Sequence, residues 1–349
     1  MKGRIYAMIL IVAFLAGAVG VFFLSYYSVW GMVQVVSGFA AALFLVPALH
    51  EVGHVFFAKK HGLQVVYIKF FTFCFYRKGG KLRFRFASPF QADETRVLPK
   101  DGKDVKIRVL PYIRGGLVFS GIFALLLLTV AIVLTCLHLS VFYLWGGVPY
   151  AVYIFLLNLL PAQYASGKTD SLVYAEVKKD FPEGKAFLSA MEIQGRLSAG
   201  ESYAEMPLSL YATDGLREDS QLYAVLWEAN YRYRLEKKDF DGAADALNRL
   251  VVSAEYLTGE ERETVWIETA YMFLLQGDAS QLKRLLEEDE ALLRSDDYRI
   301  KRLLATYAYA CGEKEKGDAL VAQAEKALSA EEMNGVRKHE KQLLSRLGA

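Results

Sequence analysis

The residues best suited to chemistry are His50-Glu51-Val52-Gly53-His54. On a helix, positions i and i+4 share a face, so both imidazoles can reach one metal ion. Glu51 sits beside them, placed to take a proton from an attacking water. This HExxH spacing on a helix is the mark of zinc-dependent peptide hydrolysis for that reason. The pattern alone recurs by chance, but its setting here adds weight. The chain has only five His, and two fall in the motif. Glu51 is also the one charged residue between Trp30 and Ala58. Ionisable groups inside an apolar span are costly, so they point to function by default. The bland alternative is a pair of core histidines bridged by Glu51.

The elements that must position this motif are apolar helices. Ile5–Tyr27, Gly115–Leu139 and Val141–Leu160 carry no charge. Crossing a hydrocarbon core takes about 20 apolar residues. Four transmembrane helices are expected, near 5–27, 30–58, 115–139 and 141–160. The apolar stretch after Met1-Lys2-Gly3-Arg4 exceeds the ~7–15 residues of a signal-peptide core, so the first span is read as uncleaved. The loops between spans 1 and 2 and between spans 3 and 4 contain no Lys or Arg, whereas Lys59–Arg114 contains 14. The positive-inside rule then places the N-terminus, the 59–114 segment and the C-terminal half in the cytoplasm. His50 precedes Lys59 by nine residues, about 13 Å of helix, which sets the motif inside the membrane near its cytoplasmic face. Pro47, one turn before, is expected to bend the helix.

Two ligands do not complete a catalytic zinc, which usually takes three and a water. His61 lies one place too late for an HExxHxxGxxH arrangement and past Lys59-Lys60. His138 belongs to the opposite membrane face and His339 to the far half of the chain. The better candidate follows span 4, in the segment from Asn158 through Pro161 to Asp170. Spans 2 and 4 run in the same direction, so their ends reach the same level. Asp170 can therefore meet His50 and His54. An N-cap role on the helix that follows is the simpler reading of Asp170.

An HExxH in one span, and an NxxP…D segment at the end of a later one, resembles the site-2 protease family of intramembrane zinc metalloproteases. The resemblance covers roughly residues 30–175. It implies that Asp170 is the third zinc ligand and that Asn158 helps hold substrate or the developing oxyanion. The sequence departs from the family pattern in its Asn-to-Asp spacing of twelve rather than eight, in lacking the second Pro, and in Ser171 where Gly is usual.

Within the basic segment, Tyr67–Tyr76 and Lys81–Phe86 flank Arg77-Lys78-Gly79-Gly80, a hairpin signal. Lys81, Arg83 and Arg85 alternate with Leu82, Phe84 and Phe86, giving one cationic and one apolar face. Such a hairpin suits a small soluble sheet, the lipid interface or pairing with an extended peptide.

The remainder of the chain is a different material. Residues 1–166 carry 16 Lys and Arg against 5 Asp and Glu, a net +11. The rest carries 25 against 34, a net −9, and the whole chain sums to +2. Helical patterns there break at Gly200-Glu201, Lys238-Asp239, Gly277-Asp278 and Gly312-Glu313. Helices bearing Tyr231, Tyr271 and Tyr307 precede the last three breaks, and these tyrosines read as packing residues. The register resembles tetratricopeptide (TPR) hairpins. Glu331–Ala349 reads as a polar helix. The net negative charge of this half of the chain argues against nucleic acid as a partner. Cys74, Cys136 and Cys311 are too scattered for a disulfide framework or a thiolate zinc site.

The expected fold is an all-α membrane domain of four transmembrane helices with a small β-hairpin insertion (1–171, insertion 59–114). A soluble TPR-like helical-repeat domain (172–349) follows. The expected activity is zinc-dependent hydrolysis of peptide bonds in membrane proteins, with Zn²⁺ on His50, His54 and Asp170, Glu51 as base and Asn158 as helper. Its partners are a membrane-protein substrate, the lipid bilayer and a protein at the TPR-like half. The compact size suits a bacterial inner membrane, with both termini cytoplasmic. The competing reading is a catalytically inactive scaffold; a transporter is disfavoured because the spans show no internal repetition.

Overall fold

A computed structural model describes residues 2–26, 28–78, 81–88, 93–164, 167–257, 259–288 and 295–347. The chain divides into two compact units, Met1–Leu98 with Asp104–Gly184, and Pro99–Lys103 with Lys185–Ala349.

The first unit is built on α1 (Lys2–Ser25), α2 (Val29–Lys60), α3 (Val105–Cys136) and α4 (Phe142–Leu159). Ser28 caps α2, its hydroxyl accepting from the Gly31 amide at 3.2 Å. Lys59 and Lys60 occupy its last turn, where cations complement the free carbonyls. The chain then leaves the helix through His61, whose amide donates to Phe57 and Ala58. α2 continues through Pro47. Among the described residues three helices, α2, α3 and α4, are long and apolar enough to cross a membrane. The apolar stretch of α1, Met8–Phe23, is shorter. Val36, Leu45, Phe56, Leu125 and Val133 point outward, exposed. Contiguous exposed apolar side chains of this kind mark a lipid-facing surface.

Glycines let these helices meet backbone to backbone. A Cβ on Gly115 of α3 would stand 2.5 Å from the Gly53 carbonyl oxygen of α2. A Cβ on Gly146 of α4 would stand 2.9 Å from the Val35 carbonyl carbon of α2. Small residues at helix crossings are how helices pack where water provides no drive. Here they bring α3 against the HExxH face of α2.

α3 begins at Val105, ten residues before the expected start of the third span. Lack of charge marks where a helix enters lipid, not where it starts, so the basic turns with Lys106, Arg108 and Arg114 are already helical.

The 59–114 segment holds more than a hairpin. It forms a four-stranded antiparallel sheet of β1 (Leu63–Phe70), β2 (Phe73–Lys78), β3 (Lys81–Phe86) and β4 (Glu94–Pro99), in the order β3-β2-β1-β4. The aromatic run Tyr67–Tyr76, expected as one strand, reverses at Phe71-Thr72, with Phe71 at φ 52°. Phe70 then pairs with Phe73, and Tyr67 with Tyr76. β2 and β3 pair as the hairpin signal implies, Phe75 opposite Phe84 and Cys74 opposite Arg85. The turn residues Gly79 and Gly80 lie outside the described residues.

The second unit is helical: α6 (Pro182–Ala199), α7 (Gln221–Glu236), α8 (Phe240–Ser253), α9 (Gly259–Leu275), α10 (Ser280–Glu288), α11 (Tyr298–Ala310), α12 (Lys314–Leu328) and α13 (Asn334–Leu344), after the short α5 (Asp170–Lys178) of the first unit. Left-handed residues end helices at the expected breaks: Gly200 (φ 98°), Lys238 (φ 61°), Gly277 (φ 86°) and Gly312 (φ 76°). Leu235, Leu247, Ile267, Leu282 and Leu303 form its core. Tyr231 and Tyr271 are buried in that core, and Tyr307 packs against it.

The C-terminal segment differs from the polar helix expected. His339 and Glu340 of α13 are fully buried. Their partners come from distant helices, so the sequence of α13 alone cannot reveal them. His339 Nδ1 lies 2.8 Å from Glu236 Oε1. Arg302 bonds Glu268 at 2.6 Å and Glu340 at 2.9 Å, while its guanidinium lies 4.2 Å from the Tyr271 ring centre. Tyr231 donates to Glu268 at 2.9 Å. Burial works to raise the Glu268 carboxyl, but Arg302 and Arg232 outweigh it and hold it down at about 2.

Candidate metal centre

α2 presents His50, Glu51 and His54 at its inner face, all buried. Asp170 begins α5 and reaches the same point. His50 Nε2 and His54 Nε2 lie 3.1 and 3.3 Å from Asp170 Oδ2, and 3.3 Å from each other. A tetrahedral zinc with bonds of about 2.0–2.1 Å holds its ligand atoms about 3.3–3.4 Å apart. The three atoms therefore already stand at the spacing that such an ion requires.

The protonation pattern agrees. His54 Nδ1 lies 2.9 Å from the Tyr112 carbonyl, so Nδ1 carries the proton and Nε2 presents its lone pair. Ser120 Oγ donates to the Gly116 carbonyl at 2.9 Å, which leaves it to accept from His50 Nδ1 at 3.5 Å. His50 Nε2 is then a lone pair as well. Among the described residues Asp170 Oδ2 is buried and lacks a hydrogen-bond donor. Three acceptors aimed at one another repel unless a cation lies among them, so the donor set could hold a metal ion.

The loop before Asp170 explains how a spacing of twelve still reaches the site. After Leu160 the chain makes a small hairpin, β5 (Gln163–Tyr164) with β6 (Gly167–Lys168), and Thr169 closes its base. Thr169 Oγ1 donates to the Leu160 carbonyl at 2.8 Å and accepts from the Ala162 amide at 3.1 Å. The extra residues leave and return to nearly the same point, so Asp170 is delivered to α2 regardless of them. The hairpin tip, Ala165 and Ser166, lies outside the described residues. Thr169 also caps α5, a role the simpler reading gave to Asp170.

Glu51 is held by a partner the sequence did not suggest. Thr95 Oγ1 on β4 donates to Glu51 Oε2 at 2.5 Å. Tyr112 ties this to the metal ligands: its hydroxyl donates to the Thr95 carbonyl at 2.5 Å, and its own carbonyl accepts from His54. One residue thereby fixes both the base and a ligand, the supporting shell a metal site needs.

Asn158 is on α4, half-buried. Its Nδ2 donates to the Ile154 carbonyl at 3.2 Å, a bond back to its own helix. Among the described residues no hydrogen bond joins it to the three ligand atoms. His61 ends α2, His138 sits in the turn after α3 with φ 57°, and His339 belongs to the second unit.

The most exacting neighbour is Gly116 of α3. A Cβ there would stand 2.5 Å from His50 Nε2 and closer still to His54 Nε2. The paired Gly115-Gly116 at the start of an apolar span was the available signal for this close approach, and Ser120 lies one turn on along the same face.

No family model matches the chain, and neither a curated protein nor a solved structure does.

Proposed function

We propose that the chain is an intramembrane zinc metalloprotease of the site-2 protease type, hydrolysing peptide bonds of membrane-spanning or membrane-associated proteins. The observation that carries the reading is the convergence of two Nε2 lone pairs and one carboxylate oxygen within 3.1–3.3 Å, beside a buried Glu. A merely structural metal has no use for a base at its side.

In this reading α1 crosses the membrane with α2, α3 and α4, and both termini face the cytoplasm of a bacterial cell. His50, His54 and Asp170 hold Zn²⁺, which when bound polarises a carbonyl and eases deprotonation of water. Glu51, oriented by Thr95, takes the proton from the attacking water and returns it to the leaving amine. A substrate helix hides its carbonyls in its own hydrogen bonds, so it must unwind first. β4, the edge strand that carries Thr95, offers it extended pairing. Asn158 would assist the oxyanion only after releasing Ile154. The second unit, TPR-like in its helix register, recruits a substrate or regulatory protein.

Cells carrying Glu51→Gln test the reading through their membrane proteome. Specific full-length membrane proteins should accumulate and their shortened forms vanish. An unchanged set of fragments would exclude the activity.

A further inference from the structure

A cavity of about 280 Å³ opens between α3 and α5, and one of its walls is Asp170. It is lined by the apolar Ile113 and Leu117, by Ser171, and by the exposed Arg114 and Lys178. Both cations flank a single ring: the Arg114 guanidinium lies 5.2 Å from the centre of Tyr174, and Lys178 Nζ 5.6 Å. Neither has a carboxylate partner among the described residues. Two neighbouring cations do. Lys106 bonds Asp180 at 2.7 Å, and Lys168, just before α5, bonds Glu176 at 2.8 Å. Asp170 is the one carboxylate in the lining, and it is turned to His50 and His54. The cavity thus combines two exposed cations, without a carboxylate partner among the described residues, with apolar Ile113 and Leu117 and a residue of the metal centre.

We propose that this cavity is a substrate subsite that receives the carboxylate of an Asp or Glu side chain close to the scissile bond, held by Arg114 and Lys178. The proposal rests on the peptide-hydrolase reading and names its substrate class: segments with an acidic residue flanking the cleaved bond. Both cations lie against the Tyr174 ring and line the same cavity, so an anion entering it meets both charges. Arg114 supplies the fork that matches a carboxylate, and Lys178 the point charge. A peptide side chain is the occupant favoured because the cavity shares a wall with Asp170.

The test is a binding measurement on the full-length Glu51→Gln chain, zinc-loaded, in nanodiscs of zwitterionic lipid. The probe is a set of apolar 16-residue peptides in which a single Glu, or a single Gln, is moved through each position. At one position Glu should bind about tenfold tighter than Gln, the scale of one charge-assisted contact. Arg114→Gln and Lys178→Gln should bring that ratio to near one while leaving the Gln peptide's affinity unchanged. Arg114→Lys should keep part of the preference, and the double reversal to Glu should favour a Lys peptide. Equal binding of Glu and Gln peptides at all positions would overturn the subsite. So would a preference that survives both neutral variants. Cleavage of the same peptides by the unsubstituted chain is scored separately. If the preference is present and nothing is cleaved, the hydrolase reading fails and the anion site stands.

Discussion

Replacing Gly116 with Ala adds one methyl group directly in front of the two imidazoles. The new Cβ would lie 2.5 Å from His50 Nε2 and closer to His54 Nε2, whereas ordinary contact begins near 3.4 Å. Each ring must retreat by about 1 Å. Neither can do so freely, because His54 Nδ1 is bound to the Tyr112 carbonyl and His50 Nδ1 faces Ser120. A retreat of that size is about half a zinc–nitrogen bond of ~2.1 Å, so two of the three ligands leave bonding range. Loss of an outer-shell partner alone typically costs about 10–100-fold in metal affinity, so displacing two ligands should cost at least on the order of 10³-fold. The assay is zinc per chain by elemental analysis, followed by a chelator titration of the zinc-loaded protein. The Gly116→Ala chain should purify with little zinc and release the rest at far lower chelator concentration. His61→Ala should behave as the parent, since His61 only ends α2. A Gly116→Ala chain with full zinc and unchanged chelator resistance would refute the reasoning.

Further outcomes follow from the same geometry. Thr95→Val removes the hydroxyl that orients Glu51, and kcat should fall about tenfold with zinc content unchanged, in line with one charged hydrogen bond. Loss of zinc in that variant would contradict the separation of base from ligands. Arg302→Ala strands Glu268 and Glu340 in the second unit, and should cost about 3–5 kcal/mol in denaturant unfolding of that unit. Acid should act on the same network. Glu268 is held at about 2 in the folded chain against 4.5 when free, so its contribution is complete above pH 4.5 and is lost as the pH falls toward 2. Thermal unfolding in detergent should record that decline, and a flat profile across the window would exclude it.

Much of the site was legible in the sequence because its chemistry is concentrated. His50, Glu51 and His54 share one helix face, and ionisable groups stand out in an apolar span. Asp170 was reachable from the common direction of α2 and α4. The residues that support them were not legible. Thr95 and Ser120 meet their partners across 44 and 70 positions of sequence, with no motif to join them. Gly115 and Gly116 hint at a close helix approach, but not at which backbone or side chains they meet. The aromatic run Tyr67–Tyr76 suits a strand throughout, and only the left-handed Phe71 divides it. α13 reads as polar because its buried charges are neutralised by Glu236, Arg232 and Arg302 on other helices.

The central claim is hydrolysis that depends on Glu51 beside a bound metal. It is tested most directly by the purified parent and Glu51→Gln chains, each zinc-loaded and mixed in nanodiscs with one membrane-spanning substrate, with products read by intact mass. The parent should give two fragments whose masses sum to the substrate plus one water. Glu51→Gln should hold the same zinc and give none. Fragments of equal yield from the Glu51→Gln chain would contradict the account.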